Sequence, residues 1–269
     1  MNIPPRALVL LCLASILLLL NACAARQSGK TLEPAAAKNI WTGYLQYATQ
    51  SAEKHRQPSL LQASLRFGGN GDGRRVIVLL WENGGGPIRL DVRAGVGVSA
   101  AKILQTDSRF LIYAVQEDRA YYHDGPQQSL LAYGLPLPLG LRDLAALLAG
   151  DYGAVFGLTP PKDPRSTQHG GMSLALPKKH LGGVLALDAQ GLPRSWKEEK
   201  DGWSLTFTYD DDKTFPRPAQ IEARHANGNY AILLVKERHR PEQPFTPEQL
   251  ELTLPPGTPL LPMRQMKRL

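Results

Sequence analysis

Cysteine is nearly absent from this chain. Only Cys12 and Cys23 occur among its 269 residues, so everything after residue 23 lacks a thiol. A disulfide, a thiolate metal site and a cysteine nucleophile are thereby excluded from any folded domain, whose stability must come from burial. Catalytic groupings are missing too. The six histidines, His55, His123, His169, His180, His225 and His239, are never paired at the one-, three- or four-residue spacing that holds metals on strands and helices. No Gly-x-Ser-x-Gly elbow, Walker loop or zincin motif is found. The glycine-rich run from Gly68 to Gly73 lies between two alternating segments and is a hairpin turn, because β-roll calcium sites need many stacked copies. Asp210, Asp211, Asp212, Glu198 and Glu199 fall in turns, where solvation explains them. The composition therefore points to a protein that is not an enzyme and takes no metal. A strong block of positive charge is lacking as well. The formal net charge is +7, spread over doublets such as Arg74 and Arg75 or Lys178 and Lys179, which is a solvated face rather than a nucleic-acid stripe. Weak attraction to anionic lipid headgroups is the more economical partner.

What the chain does have is an apolar start. Arg6 is followed by 14 uncharged residues from Ala7 to Leu20, then Asn21, Ala22 and Cys23. That is the layout of a secretory signal, and the run is short of the roughly 20 residues that span a bilayer. A short membrane anchor or an ordinary signal cut nearby shares these features. Leu20, Asn21, Ala22 and Cys23 resemble the lipobox of bacterial lipoproteins. The resemblance implies cleavage before Cys23, a diacylglycerol on its thiol and an acyl chain on its new amino terminus, with no other cofactor. Two or three chains anchor a protein stably, at ~0.8 kcal/mol per buried methylene. Ala24, in the place where Asp would retain an enterobacterial lipoprotein at the inner membrane, implies a periplasm-facing anchor in the outer membrane.

Beyond Cys23 the sequence predicts a polar tether over 23–38, a β domain over 39–238 and a proline-rich tail over 239–269, after a signal over 1–22. Trp41, Tyr44, Leu45, Tyr47 and Ala48 recur at helical spacing, predicting a helix over 39–55. Leu61, Ala63, Leu65 and Phe67 then alternate with polar residues, as do Ile88, Leu90 and Val92, or Trp203, Leu205, Phe207 and Tyr209. A second helix is expected where Leu141, Leu144, Ala145, Leu147 and Leu148 recur before Gly150, and a loop over 157–180. Seven prolines after Arg240 exclude a central strand or a long helix there, leaving an extended tail lying on the domain or free. The fold class is mainly β (α+β), with about 10–11 strands. Two segments, Val76 to Trp81 and Phe110 to Val115, are apolar on both faces. They are either central strands covered on both sides or the wall of an apolar pocket roofed by helices.

Set in this order, the segments resemble the LolA and LolB family of lipoprotein carriers, more closely the LolB type, over about residues 39–238. The best-matched block is Gly134, Leu135, Pro136, Leu137, Pro138 and Leu139, then Leu141 to Leu144 and the Gly150, Asp151 pair. A second match is the Trp203 to Tyr209 strand with Phe215, Pro216 and the strand from Ala219 to Arg224. The resemblance implies an unclosed antiparallel β-barrel with a helical lid enclosing an apolar cavity for lipoprotein acyl chains. Phe67, Trp81, Leu90, Val92 and Phe207 from strands, with Leu144 and Leu148 from the lid, are the residues expected to line it. It also implies a membrane-insertion loop at Gly95, Val96 and Gly97, although Val96 is smaller than the usual leucine and Gly95 replaces a proline. The implied function is to receive lipoproteins from a LolA-like periplasmic carrier and localise them in the outer membrane. Its partners would be that carrier, other lipoproteins and outer-membrane lipid, with the protein itself a monomer. The alternative is a non-catalytic lipoprotein scaffold of an envelope assembly, with the tail binding a partner.

Overall fold

The structure, a computed structural model, describes residues 29–266 except 70, 96, 126, 179–180 and 212–214. Helix α1 (Pro34–His55) comes first, followed by a run of antiparallel strands: β1 (Ser59–Gly69), β2 (Asp72–Glu82), β3 (Ile88–Ala94), β4 (Val98–Gln105), β5 (Arg109–Ala114) and β6 (Arg119–Asp124). Two short helices, α2 (Leu141–Ala149) and α3 (Tyr152–Phe156), interrupt the strands. The sheet then resumes with β7 (Arg165–Ser166), β8 (Met172–Ala175), β9 (Val184–Leu187), β10 (Pro193–Lys197), β11 (Trp203–Tyr209), β12 (Pro218–His225) and β13 (Tyr230–His239). Helix α4 (Pro247–Leu250) and strand β14 (Leu260–Pro262) end the chain's regular structure. All 14 strands form one sheet, ordered β14-β6-β5-β4-β3-β2-β1-β13-β12-β11-β10-β9-β8-β7, and β1 joins its two halves by pairing with both β2 and β13. The sheet is unclosed, and every pairing is antiparallel except β14 with β6. The expectation of 10–11 strands falls short by β7 and β8, which lie within the stretch read as a loop, and by β14 in the tail. All three are too short to carry a period of two.

Register puts one apolar row on a single face. Leu61 opposes Leu80, Leu80 opposes Leu90, Leu90 opposes Ile103 and Ile103 opposes Ile112, linking β1 to β5. These side chains, all buried, join Ile40, Trp41, Tyr44 and Ala48 of α1 and Leu141, Leu144, Leu147 and Leu148 of α2 in the main core. The helices therefore cover this inner face. Helix α2 is stopped by Gly150 in the left-handed conformation (φ 87°), as its position predicts. The hydroxyl of Tyr44 donates to the carbonyls of Tyr152 (3.1 Å) and Gly157 (2.8 Å), tying α1 to α3.

Helix α1 lies directly against the turn between β9 and β10. A Cβ at Gly43 would sit 2.2 Å from the Gln190 carbonyl oxygen, and one at Gly191 (φ 89°) would sit 2.3 Å from the Tyr44 nitrogen. Gly43→Ala should gain ~1 kcal/mol of helix propensity. We expect a net loss of stability all the same, because helix and turn meet backbone to backbone and overpacking there costs ~1–3 kcal/mol. A fall in melting temperature checks this; a rise would show that the helix can slide.

The chain ends differ from expectation. Helix α1 starts at Pro34, favoured at a first helical position, rather than at 39. Before it, Thr31 bridges Arg165, the Leu32 N–H donates to Pro164 and the Ser166 N–H donates to Lys30. Residues 30–32 are thus bound to the edge strand β7, so the later part of the stretch expected as a tether over 23–38 belongs to the folded domain, while residues 23–28 lie outside the described residues. The tail lies on the outer face. Asn83 exchanges two side-chain hydrogen bonds with the Phe245 backbone (2.8 and 2.9 Å), and the Arg89 guanidinium donates to the carbonyls of Gln249 and Glu251. Leu252 and Leu254 pack with Tyr113, Ala120, Leu104 and Leu111. Beyond them β14 pairs in parallel with β6, an edge position that its closing proline tolerates.

Candidate apolar binding site

The same strands that are filled at one end are hollow at the other. Toward the β1–β2 and β3–β4 turns, the inner face carries Ala94, Ala101 and Ala114 where leucines and isoleucines stand farther along. The missing side-chain volume leaves a cavity of about 440 Å³, walled by Phe67, Val76, Val92, Ile103 and Ile112. Its roof is the single helical turn Leu130–Tyr133 with Gly134 and Leu135. Gly134 turns the chain at φ 84°, and Ser129 caps the turn by accepting from the Leu131 N–H (3.3 Å). The Tyr133 ring stacks on Phe110 at 4.4 Å between centroids, and burial raises the pKa of its phenol. The hydroxyl has no hydrogen-bond partner among the described residues. Polar side chains enter only at the margin, from Arg74, Arg75, Gln116 and Glu117.

The cavity narrows toward α2. A gap of about 10 Å³ lies between Leu61, Leu80, Leu90 and Val92 on the sheet and Leu144 and Leu148 on the helix, no more room than about one water needs. Of the residues named from sequence, Phe67 and Val92 line the cavity, while Leu90, Leu144 and Leu148 line this gap. Trp81 does neither. Val78 and Leu80 take the inner positions of β2, so Trp81 falls on the outer face, half-buried with the Arg89 guanidinium 5.5 Å above its ring. Phe207 is buried in another part of the core, edge-on to Phe156 at 6.1 Å. Sequence reasoning missed Ile103, Ile112, Tyr133 and the alanines. The signal for Ile112 was present in the two-sided apolarity of β5. The alanines signal by being small on strands otherwise rich in branched residues.

The loop named as a membrane-insertion element joins β3 to β4 at the cavity's rim, directly after Ala94. Gly95 (φ 58°) and Gly97 (φ 83°) take left-handed conformations, and the Gly97 N–H donates to the Gly95 carbonyl. Val96 lies outside the described residues, as does Cys23. The neighbouring Val98 is 54% exposed. Among the described residues no group of three or more His, Cys, Asp or Glu could hold a metal, and no helix is long and apolar enough to cross a membrane.

Neither a family model nor a curated relative matches the chain by sequence. Solved structures do match in shape. A LolA superfamily protein from Nitrosomonas europaea is 11% identical with a TM-score of 0.54, covering 76% of this chain and 98% of that one. A DUF1329 family protein from Desulfovibrio piger is 14% identical with the same TM-score, covering 79% and 97%. A putative outer membrane lipoprotein-sorting protein domain from Vibrio parahaemolyticus is 14% identical with a TM-score of 0.50, covering 80% and 97%. At such identities the likeness concerns shape, and the shape of this chain is the LolA-like fold, an open antiparallel sheet curled around an apolar hollow.

Proposed function

We propose that this chain is a lipid-anchored acyl-chain-binding protein of the outer membrane, closest in role to LolB. It would take lipoproteins from a LolA-like periplasmic carrier and help insert them. The apolar cavity of about 440 Å³ carries this reading. It falls in the range of roughly 300–1,000 Å³ typical of ligand pockets and has little polar lining to fix a ligand's orientation. An acyl chain suits such a site, since each buried methylene contributes ~0.8 kcal/mol without directional bonds. Holding and releasing a chain by burial needs no chemistry, in keeping with a non-enzymatic role. The turn from Leu130 to Leu135 acts as the lid of the cavity, with α2 closing the narrow gap beside it, and the loop of Gly95, Val96 and Gly97 is the insertion element.

Mass spectrometry of protein purified from its native membrane tests the reading, because it reports the mass added to Cys23 and any co-purifying acyl ligand together. Cys23→Ser should abolish the added mass and move the protein from the membrane to the soluble fraction. A wild-type protein with an unmodified Cys23 would sink the anchor. Failure of the purified protein to accept a lipoprotein from its carrier would sink the transfer role. A scaffold whose tail binds a partner is less well supported, because residues 245–262 are engaged with the protein's own outer face and edge strand.

A further inference from the structure

At the end of the sheet away from the cavity, three arginines converge. A pocket of about 40 Å³ opens where β1 begins and β2 ends, bordered by Gln57, Glu82, Arg217, Arg238, His239 and Arg240. One water needs about 10–15 Å³ by this measure, so there is room for a small polyatomic group. Its positive charge is compensated in part, by the Glu82 carboxylate at the border and by Asp210, which pairs with Arg217. Arg238 is largely buried and donates to two neutral carbonyls, Leu148 at the end of α2 and Pro218. Arg217 Nε stands 3.6 Å from Asp210 Oδ2, too far for a hydrogen bond, and this buried N–H has no acceptor among the described residues. Arg240 has no ion-pair partner among them. Burial and the Arg217 guanidinium pull Arg238 down to about 10 and lower Arg240 in the same way.

Capping the carbonyl end of α2 accounts for Arg238 alone. It leaves unexplained why Arg217 presents an unused donor and why Arg240 is added beside it. Three guanidiniums against the carboxylates of Glu82 and Asp210 leave the site net positive, and a bound oxyanion offsets that charge through charge-assisted, bidentate bonds.

We propose that this pocket binds a phosphate-type oxyanion held by Arg217, Arg238 and Arg240. A free phosphate and a phospholipid headgroup share this chemistry. The assignment stands independently of acyl binding in the cavity.

The test uses the full chain purified in neutral detergent. Titration with inorganic phosphate, at ionic strength matched with chloride, should release heat and raise the melting temperature. Arg240→Gln, at the exposed side of the pocket, and Arg217→Gln should each weaken phosphate binding at least tenfold. Binding of an acyl probe in the cavity should be unchanged in both. Phosphatidylglycerol added to the micelles separates the sources: competition with phosphate assigns the headgroup, and no competition assigns the free anion. Absence of a phosphate-specific heat and melting shift in the wild type overturns the proposal. So does an affinity in both variants equal to the wild type.

Discussion

Ala101→Trp should lower the affinity for a fluorescent fatty-acyl probe about a hundredfold while leaving the far-ultraviolet circular dichroism unchanged. Ala101 is buried on the inner face of β4 and borders the cavity. An indole there occupies space that acyl methylenes would use. Excluding about four methylenes at ~0.8 kcal/mol each removes about 3 kcal/mol, and each 1.4 kcal/mol is about tenfold in affinity. Trp81→Ala supplies the contrast. Its side chain is on the opposite face of the sheet, and probe affinity should stay within about twofold. Equal effects of the two substitutions, or none from Ala101→Trp, would show that the ligand lies elsewhere.

Truncation after Arg240 should lower the melting temperature by about 10 °C or more. The lost segment includes Leu250 and Leu252, both buried, and each such leucine contributes ~1.5–3 kcal/mol. Truncation also exposes Leu104, Leu111 and Tyr113 on the outer face and removes the Phe245 partner of Asn83 and the two tail carbonyls that accept from Arg89. For a domain of this size each kcal/mol is worth about 2–4 °C. Leu252→Asp should reproduce a large part of the loss without shortening the chain. A truncated protein that melts with the wild type would show that the tail only rests on the sheet. Calorimetry distinguishes these outcomes directly.

Much of this arrangement was legible in the residues. Strict alternation located β1, β3 and β11, and the leucines before Gly150 located α2, because each element exposes one face and buries the other. Alternation is silent where both faces are apolar. On β2, neighbours rather than sequence decide the inward side, and Val78 and Leu80 pair inward with Ala63 and Leu61, so Trp81 turned out. The cavity was harder still. A hollow is made of missing volume, and Ala94, Ala101 and Ala114 have nothing in their own sequence to say that they stand beside one another. The tail's prolines correctly excluded a central strand. They said nothing of Leu252 and Leu254 against Tyr113, since contacts between residues so distant in sequence leave no local period. The short stretch 30–32 has the composition of a tether, because a single bridge to β7 leaves no pattern.

An open sheet normally has two rims of unpaired amide and carbonyl groups, and those rims recruit other chains by strand addition. Here each rim of the described sheet is a very short piece of the same polypeptide: β14, three residues long, lies outside β6, and Thr31 makes a single bridge to Arg165 of β7. Short edge strands and a proline at the rim, Pro262, are devices that blunt an edge against pairing with another chain. An incoming chain meets only a few backbone groups at either rim, so strand addition there is disfavoured.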